Sequence, residues 1–184
     1  MLISLLAVSA IVPSALLVWY FHARDVYPEP PRVLWTTFGI GVLSVIPVLA
    51  IGLGAQILAI AAGGSSTPCG LEFEVGEAQR TRPDALAGFL PERYPLVLYG
   101  RDRPLLPPGA DVLARDWQGR PALFQVGELA LGFTGHPGTK PAIVEDLIME
   151  FEEGPADPGP PLAQLRAVRP ALEDALVPIM TGVV

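Results

Sequence analysis

The first 64 residues of the chain contain four acidic or basic side chains other than histidine (Asp, Glu, Lys or Arg), and all four lie within residues 24–32. Two apolar stretches therefore flank a short polar one, at residues 1–21 and 33–64. A membrane core of about 30 Å is crossed by about 20 residues of α-helix, and the first stretch has that length. The pattern predicts that the chain begins with a membrane anchor and that a soluble fold follows it.

The predicted anchor comprises residues 1–46, with a helix at 2–22, a proline-rich hinge at 24–32 and a second helix at 33–46 or longer. Trp19 and Tyr20 lie where the first helix would meet the lipid headgroups, a depth that aromatic side chains favour. A cleaved signal peptide is the alternative, and it would need a basic start. No lysine or arginine precedes the apolar run, so an uncleaved anchor is favoured.

The net charge of the chain arises after the anchor. The formal charge is −7, and the two arginines of the first 64 residues balance the two acids there. Nucleic-acid binding rests on lysine and arginine contacts to phosphates, so we expect no nucleic-acid partner. The single cysteine, Cys69, cannot form an intramolecular disulfide. No metal and no cofactor are expected.

Residues 13–49 (PSALLVWYFHARDVYPEPPRVLWTTFGIGVLSVIPVL) resemble the start of PrsW-type intramembrane proteases. Members of that family begin with a helix, an acidic proline-containing linker (here Asp25 to Pro30) and a second helix with a phenylalanine–glycine stretch. Their paired glutamates and histidines lie on later membrane helices, which have no counterpart in this sequence. The glutamate pair at residues 152–153 is interpreted as a solvated helix end. The resemblance implies the membrane-inserting start of that family without its catalytic residues.

Residues 47–64 (PVLAIGLGAQILAIAAGG) fit a second interpretation. A short β-prone run is followed by a glycine-flanked turn at Gly52 and Gly54, and then by apolar residues at helical spacing. Strand, tight turn and helix form a nucleophile elbow, in which one residue is held above the edge of a sheet. A membrane helix with small residues for packing is the alternative, and the local pattern does not separate the two.

Residues 105–151 resemble the carboxy-terminal half of class I glutamine amidotransferases. The matching blocks are an L-P-x-G-A-x-V-L-A stretch at 106–114, a strand ending in glycine at 124–127, and a strand that leads from Gly132 to His136-Pro137. Residues 99–102 (YGRD) match a histidine–glycine–aspartate turn of that family. With the elbow included, the resemblance covers residues 47–153.

The resemblance implies an α/β fold: a truncated, flavodoxin-like amidotransferase half-domain at residues 47–153. The family's strands before the elbow have no counterpart, which would leave an exposed sheet edge. Helical spacing predicts a helix that starts at Pro141 with Thr139 as its cap. In a C-terminal helical segment at 154–184, it predicts two further helices, at 162–168 and 171–179.

In the family, an elbow cysteine attacks the glutamine carboxamide, a histidine acts as its base, an acid orients that histidine, and elbow amides stabilise the oxyanion. The resemblance places Gly52 at the nucleophile position, His136 at the histidine and Gly138 at the acid. Cys69, in a loop SSTPCG, is a weak substitute nucleophile, and Glu145 or Asp146 is a weak substitute acid. A loop histidine without a function remains the alternative for His136.

The resulting prediction is a membrane-anchored amidotransferase-like protein without glutaminase activity. Binding groups that survive are the elbow amides of Leu53 and Gly54, the Gln56 side chain and His136, and glutamine is the ligand they imply. The alternatives are a PrsW-type fragment with a soluble tail and a non-enzymatic, membrane-anchored interaction protein. Membrane lipid is a partner in each case. Arg24 and Arg32 favour a cytoplasmic hinge; one membrane span then leaves the tail cytoplasmic, and two place it outside.

Overall fold

A computed structural model describes residues 47–151 and 153–183. The predicted anchor, its hinge and nearly all of the PrsW-like stretch lie outside these residues, as does Glu152. Among the described helices, none combines the length and apolar character that a membrane crossing requires. The anchor therefore remains a prediction from the sequence.

Six strands and three helices make up the described chain, with a short 3₁₀ helix at Ala85–Gly88. The strands are β1 (Val48–Ile51), β2 (Ser65–Arg80), β3 (Arg93–Leu105), β4 (Asp111–Arg115), β5 (Pro121–Val126) and β6 (Ala130–Phe133). The helices are α1 (Leu53–Ala61), α2 (Pro141–Glu150) and α3 (Gly159–Val183). Residues 47–64 thus form strand, turn and helix, and the alternative of a continuous membrane helix there is wrong.

Contacts divide the chain into two units. The larger one, Leu49–Val126 with Leu131–Val184, contains every site residue discussed below. Of the smaller unit, the described residues are Val48 and Gly127–Ala130. Within it, the Val48 amide donates a hydrogen bond to the Leu129 carbonyl at 2.8 Å.

The strands form one sheet in the order β1-β6-β5-β4-β2-β3. The pairs β2/β3, β2/β4 and β4/β5 are antiparallel. A short turn joins β4 to β5, as only antiparallel neighbours allow, whereas residues 81–92, with the 3₁₀ helix, join β2 to β3. The predicted α/β class is confirmed. The sheet differs from a doubly wound one in this antiparallel part, whose longest element is the β2/β3 hairpin.

The core has two clusters of buried side chains. One contains Leu113, Leu123 and Phe133 with Ile179 of α3, and the other contains Phe73, Val97 and Val144 with Leu165 and Leu172 of α3. Helix α3 therefore contributes to both clusters.

The prediction of two separate helices at 162–168 and 171–179 is wrong, because α3 is continuous through Pro170. Leu165, Leu172 and Ile179 recur every seven residues and are all buried. Their packing along one face keeps the helix together where proline alone would interrupt it.

Two local predictions also need correction. Cys69 lies within strand β2 rather than in a loop, because residues 65–68 pair with β3 and the strand continues after an irregularity between Pro68 and Glu72. Thr139 is not the cap of α2. Lys140 occupies that position without a side-chain cap, and the Thr139 hydroxyl donates instead to the His136 carbonyl at 2.9 Å.

Candidate functional site

Gly52 forms the turn between β1 and α1. Its backbone has φ 56° and ψ −114°, a conformation that side-chain-bearing residues rarely adopt. The Gly52 amide donates to the Phe133 carbonyl at 2.9 Å, and the Gly52 carbonyl accepts from the Ala55 amide at 3.1 Å. These bonds fix a sharp strand-to-helix turn, which is the geometry of a nucleophile elbow.

His136 lies three residues beyond β6, the strand next to β1 in the sheet. Its amide donates to the Val97 carbonyl of β3 at 2.9 Å. The preceding Gly135 lies so close to β3 that a methyl group on it would stand 2.6 Å from the Val97 carbonyl oxygen. The glycine therefore lets the loop that carries His136 approach β3.

The imidazole of His136 occupies the space beside the elbow. A methyl group placed on Gly52 would lie 2.5 Å from Nε2 and 2.8 Å from Cε1 of His136. The structure thus brings together the two residues that the sequence predicted to meet. It also shows that the imidazole fills the volume of the first side-chain atom of a residue at position 52.

Burial lowers the pKa of His136, and the Val97 carbonyl opposes this effect. A lowered pKa favours the neutral imidazole near neutral pH. The Nδ1 atom is buried and has no hydrogen-bond partner among the described residues. No side chain therefore orients the ring from that side.

Gly138, at the predicted acid position, has φ 74°, and Leu176 of α3 packs against it. A methyl group on Gly138 would lie 3.0 Å from Cδ2 of Leu176. An aliphatic side chain thus borders the position expected for the orienting carboxylate. Glu145 does not replace that acid, because its carboxylate pairs with Arg166 at 2.5 Å.

Gln56 is nearly buried on α1, and its Nε2 donates to the Asp102 carbonyl of β3 at 2.8 Å. The prediction of a turn at residues 99–102 is wrong, because these residues lie within strand β3. The backbone of that strand holds the glutamine side chain. Leu53 and Gly54 are the first two residues of α1, and amides at the start of a helix have no intrahelical partner. These amides remain the candidate oxyanion donors.

A cavity of about 590 Å³ adjoins the elbow. Gly52, Leu53, Gln56 and His136 line it, so every predicted site residue except Gly54 and Gly138 borders this space. Its charged lining comprises three acids and three arginines: Glu72, Asp102, Asp116, Arg101, Arg103 and Arg120.

The sequence analysis missed the ion-pair network at the cavity wall. Arg120 pairs with Asp116 and, at 3.0 Å, with Glu74, and Arg103 pairs with Glu72. Asp116 is buried and also accepts from the amides of Gln118 and Arg120 at 2.9 and 2.8 Å. The turn sequence DWQGR was the available signal, since aspartate and glycine at this spacing are typical of a β-turn.

Cys69 also lines the cavity. Burial raises the pKa of its thiol, and the neighbouring Glu72 raises it further. A reactive cysteine needs a lowered pKa, because the thiolate is the nucleophile. The electrostatics therefore disfavour Cys69 as a substitute for the missing elbow cysteine.

Solved structures similar to this chain include glutamine amidotransferases. That of Thermotoga maritima superposes with a TM-score of 0.62 at 22% identity, over 74% of this chain and 62% of that protein. A glutamine amidotransferase of Methylobacillus flagellatus gives 0.57 at 27% identity, over 88% and 67%. No protein-family model matches the sequence, and no curated protein does.

These similarities and the elbow geometry show a class I glutamine amidotransferase-like fold. The chain spans only 62% of the length of the Thermotoga protein.

Proposed function

We propose that this chain is a membrane-anchored, glutamine amidotransferase-like protein that does not hydrolyse glutamine by the covalent cysteine route. The observation that carries this proposal is the close approach of Gly52 and His136. The elbow has no side chain to attack a carboxamide, and the imidazole stands 2.5 Å from where its first atom would be. Without a nucleophile at the elbow, no thioester forms, and the neutral histidine has no nucleophile from which to accept a proton.

The position expected for the acid of the triad supports the same proposal. His136 Nδ1 has no partner among the described residues, and Leu176 packs against Gly138. Restoring a sulfur alone would therefore leave the imidazole without an orienting carboxylate. What persists is a cavity with Gln56 and the first amides of α1, which is suited to binding a small polar ligand such as glutamine.

The test is ammonia release from glutamine by the purified full chain. We expect no release above that of the His136→Ala variant. Gly52→Cys is also expected to stay inactive, because the new side chain would collide with the imidazole and position 138 would still lack an acid. Ammonia release by the native chain that His136→Ala abolishes would contradict the proposal. A parallel Cys69→Ser variant would then show whether Cys69 is the nucleophile.

Membrane anchoring is supported by the uncharged stretches of residues 1–21 and 33–46. Co-flotation of the full chain with lipid vesicles tests it, and recovery of the chain in the aqueous fraction would contradict it. A reporter fused after Val184 would show on which side the tail lies; we propose the cytoplasmic side.

A further inference from the structure

The outer face of α1 has an unusual composition. Leu53, Ile57 and Ile60 point outward and are 67%, 59% and 51% exposed. They recur at i, i+4 and i+7 and so form one stripe along the helix. This α1 face is apolar along its whole length, although a water-facing helix normally presents charged or polar side chains there.

The inner face of the same helix carries its single polar side chain. Gln56 points inward and bonds the Asp102 carbonyl, beside the buried Ala55, Leu58 and Ala59. The one polar side chain of α1 thus lies on its buried face, and apolar side chains cover its exposed face. No charged residue occurs anywhere from position 47 to 64.

The exposed apolar residues of α3 are arranged differently. Exposed apolar residues such as Val177 on α3 lie among charged neighbours, and the outer face of α3 carries the Arg169–Glu173 ion pair at 2.8 Å. Single exposed apolar residues of this kind are normal on a soluble surface, whereas an apolar stripe without charge indicates a contact surface.

The position of α1 in the chain indicates what covers it. The predicted anchor ends at residue 46, and α1 begins at Leu53, seven residues later. Seven residues span at most about 25 Å even when fully extended. The α1 face therefore lies within a short distance of the end of the predicted anchor.

We propose that the α1 face rests on the lipid bilayer, with Leu53, Ile57 and Ile60 inserted at its interface; this inference rests on the proposed membrane anchoring. The face would contact the apolar chains of the lipids and not charged headgroups, because it offers no lysine or arginine to pair with anionic lipids. We therefore expect the α1 face to insert into bilayers of neutral phosphatidylcholine alone.

The experiment uses the full chain with Cys69→Ser, reconstituted in phosphatidylcholine vesicles. A nitroxide label at Ile57→Cys is compared with a matched label at Val177→Cys, and Ile60→Cys serves as a second probe. Collision rates with apolar oxygen and with a water-soluble nickel chelate report the surroundings of each label. We expect the oxygen-to-nickel ratio to be several-fold higher at positions 57 and 60 than at 177.

Equal ratios at the three positions, in a chain that floats with the vesicles, would overturn this inference and leave the anchoring intact. Labels at 57 and 60 shielded from both reagents would also overturn it. Spin–spin broadening would then identify a second copy of the chain on this face, and its absence another protein segment. A chain that does not float would overturn the anchoring, and this inference with it.

Discussion

At the residue scale, the position of His136 beside the elbow also determines its protonation. The imidazole is half-buried and touches the elbow, and its Nδ1 has no hydrogen-bond partner among the described residues. In a glutaminase, a carboxylate would occupy the partner position and stabilise the protonated ring. Here burial lowers the pKa of His136, which favours the neutral form of the ring in the folded protein.

This lowered pKa predicts a pH dependence of stability. As pH falls through 6.5, the usual histidine pKa, the unfolded chain takes up a proton before the folded chain does. The free energy of unfolding should therefore decrease from pH 7.5 to 5.5. His136→Gln should show a smaller decrease, because its side chain does not titrate. Urea unfolding of both proteins in detergent at the two pH values measures the difference.

The comparison of the two proteins isolates His136, since both retain His22 and all carboxylates. Parallel decreases in the free energy of unfolding would show that His136 has the same pKa in the folded and unfolded states.

Single residues of the site could be predicted where a local pattern exists. The glycine-flanked turn indicated Gly52, and the glycine-rich turn after Ala130–Phe133 indicated His136. The packing of Leu176 against Gly138 could not be predicted, because it joins a helix to a loop 38 residues earlier in the chain. No periodicity encodes such a contact.

At the element scale, α3 shows how packing overrides a local signal. Pro170 lacks an amide hydrogen and disfavours helix in the residue before it, and it lies between the two helices predicted at 162–168 and 171–179. The seven-residue spacing of Leu165, Leu172 and Ile179 was the better signal, since one buried face implies one helix. Strand β2 was missed although Glu72, Phe73, Glu74 and Val75 alternate as in a half-buried strand.

The packing of α3 predicts a large loss of stability on truncation of its buried face. Leu165 is completely buried, and Leu165→Ala should lower the free energy of unfolding by about 3 kcal/mol through lost burial and a residual cavity. Val177→Ala is the matched control on the same helix, with 69% exposure and an expected change below about 0.5 kcal/mol. Chemical denaturation measures both. Similar small losses would mean that α3 is not part of the core.

At the scale of the whole molecule, strand β3 has features that disfavour pairing with another chain. It ends the strand order of the sheet, and an unpaired edge strand invites pairing with another chain. The Val97 carbonyl on its outer side accepts from His136. Pro95, two residues away, falls on the same side because alternate residues point their backbone groups alike, and proline has no amide hydrogen to donate.

This arrangement predicts the effect of restoring an edge donor. Pro95→Thr should lower the concentration at which the protein self-associates, because an amide hydrogen returns to the outer side of β3. Pro83→Thr, in an exposed turn outside the sheet, is the control and should behave as the native chain. Sedimentation velocity over a range of concentrations distinguishes them. Unchanged sedimentation of Pro95→Thr would show that this edge is protected in another way.

The fold as a whole could be predicted in class but not in detail. Sequence blocks at residues 106–114 and 132–137 indicated the amidotransferase-like fold that the solved structures support. The antiparallel β2/β3 hairpin was not foreseen, because its register depends on pairs such as Val75 with Val97, far apart in the chain.

The glycine at the elbow also determines how the protein withstands chemical stress. A sulfur at that position would be the first group in the pocket that peroxide or a haloacetamide modifies. With glycine there, such reagents leave the turn between β1 and α1 unaltered. Cys69 on strand β2 is the one thiol of the chain that they can modify.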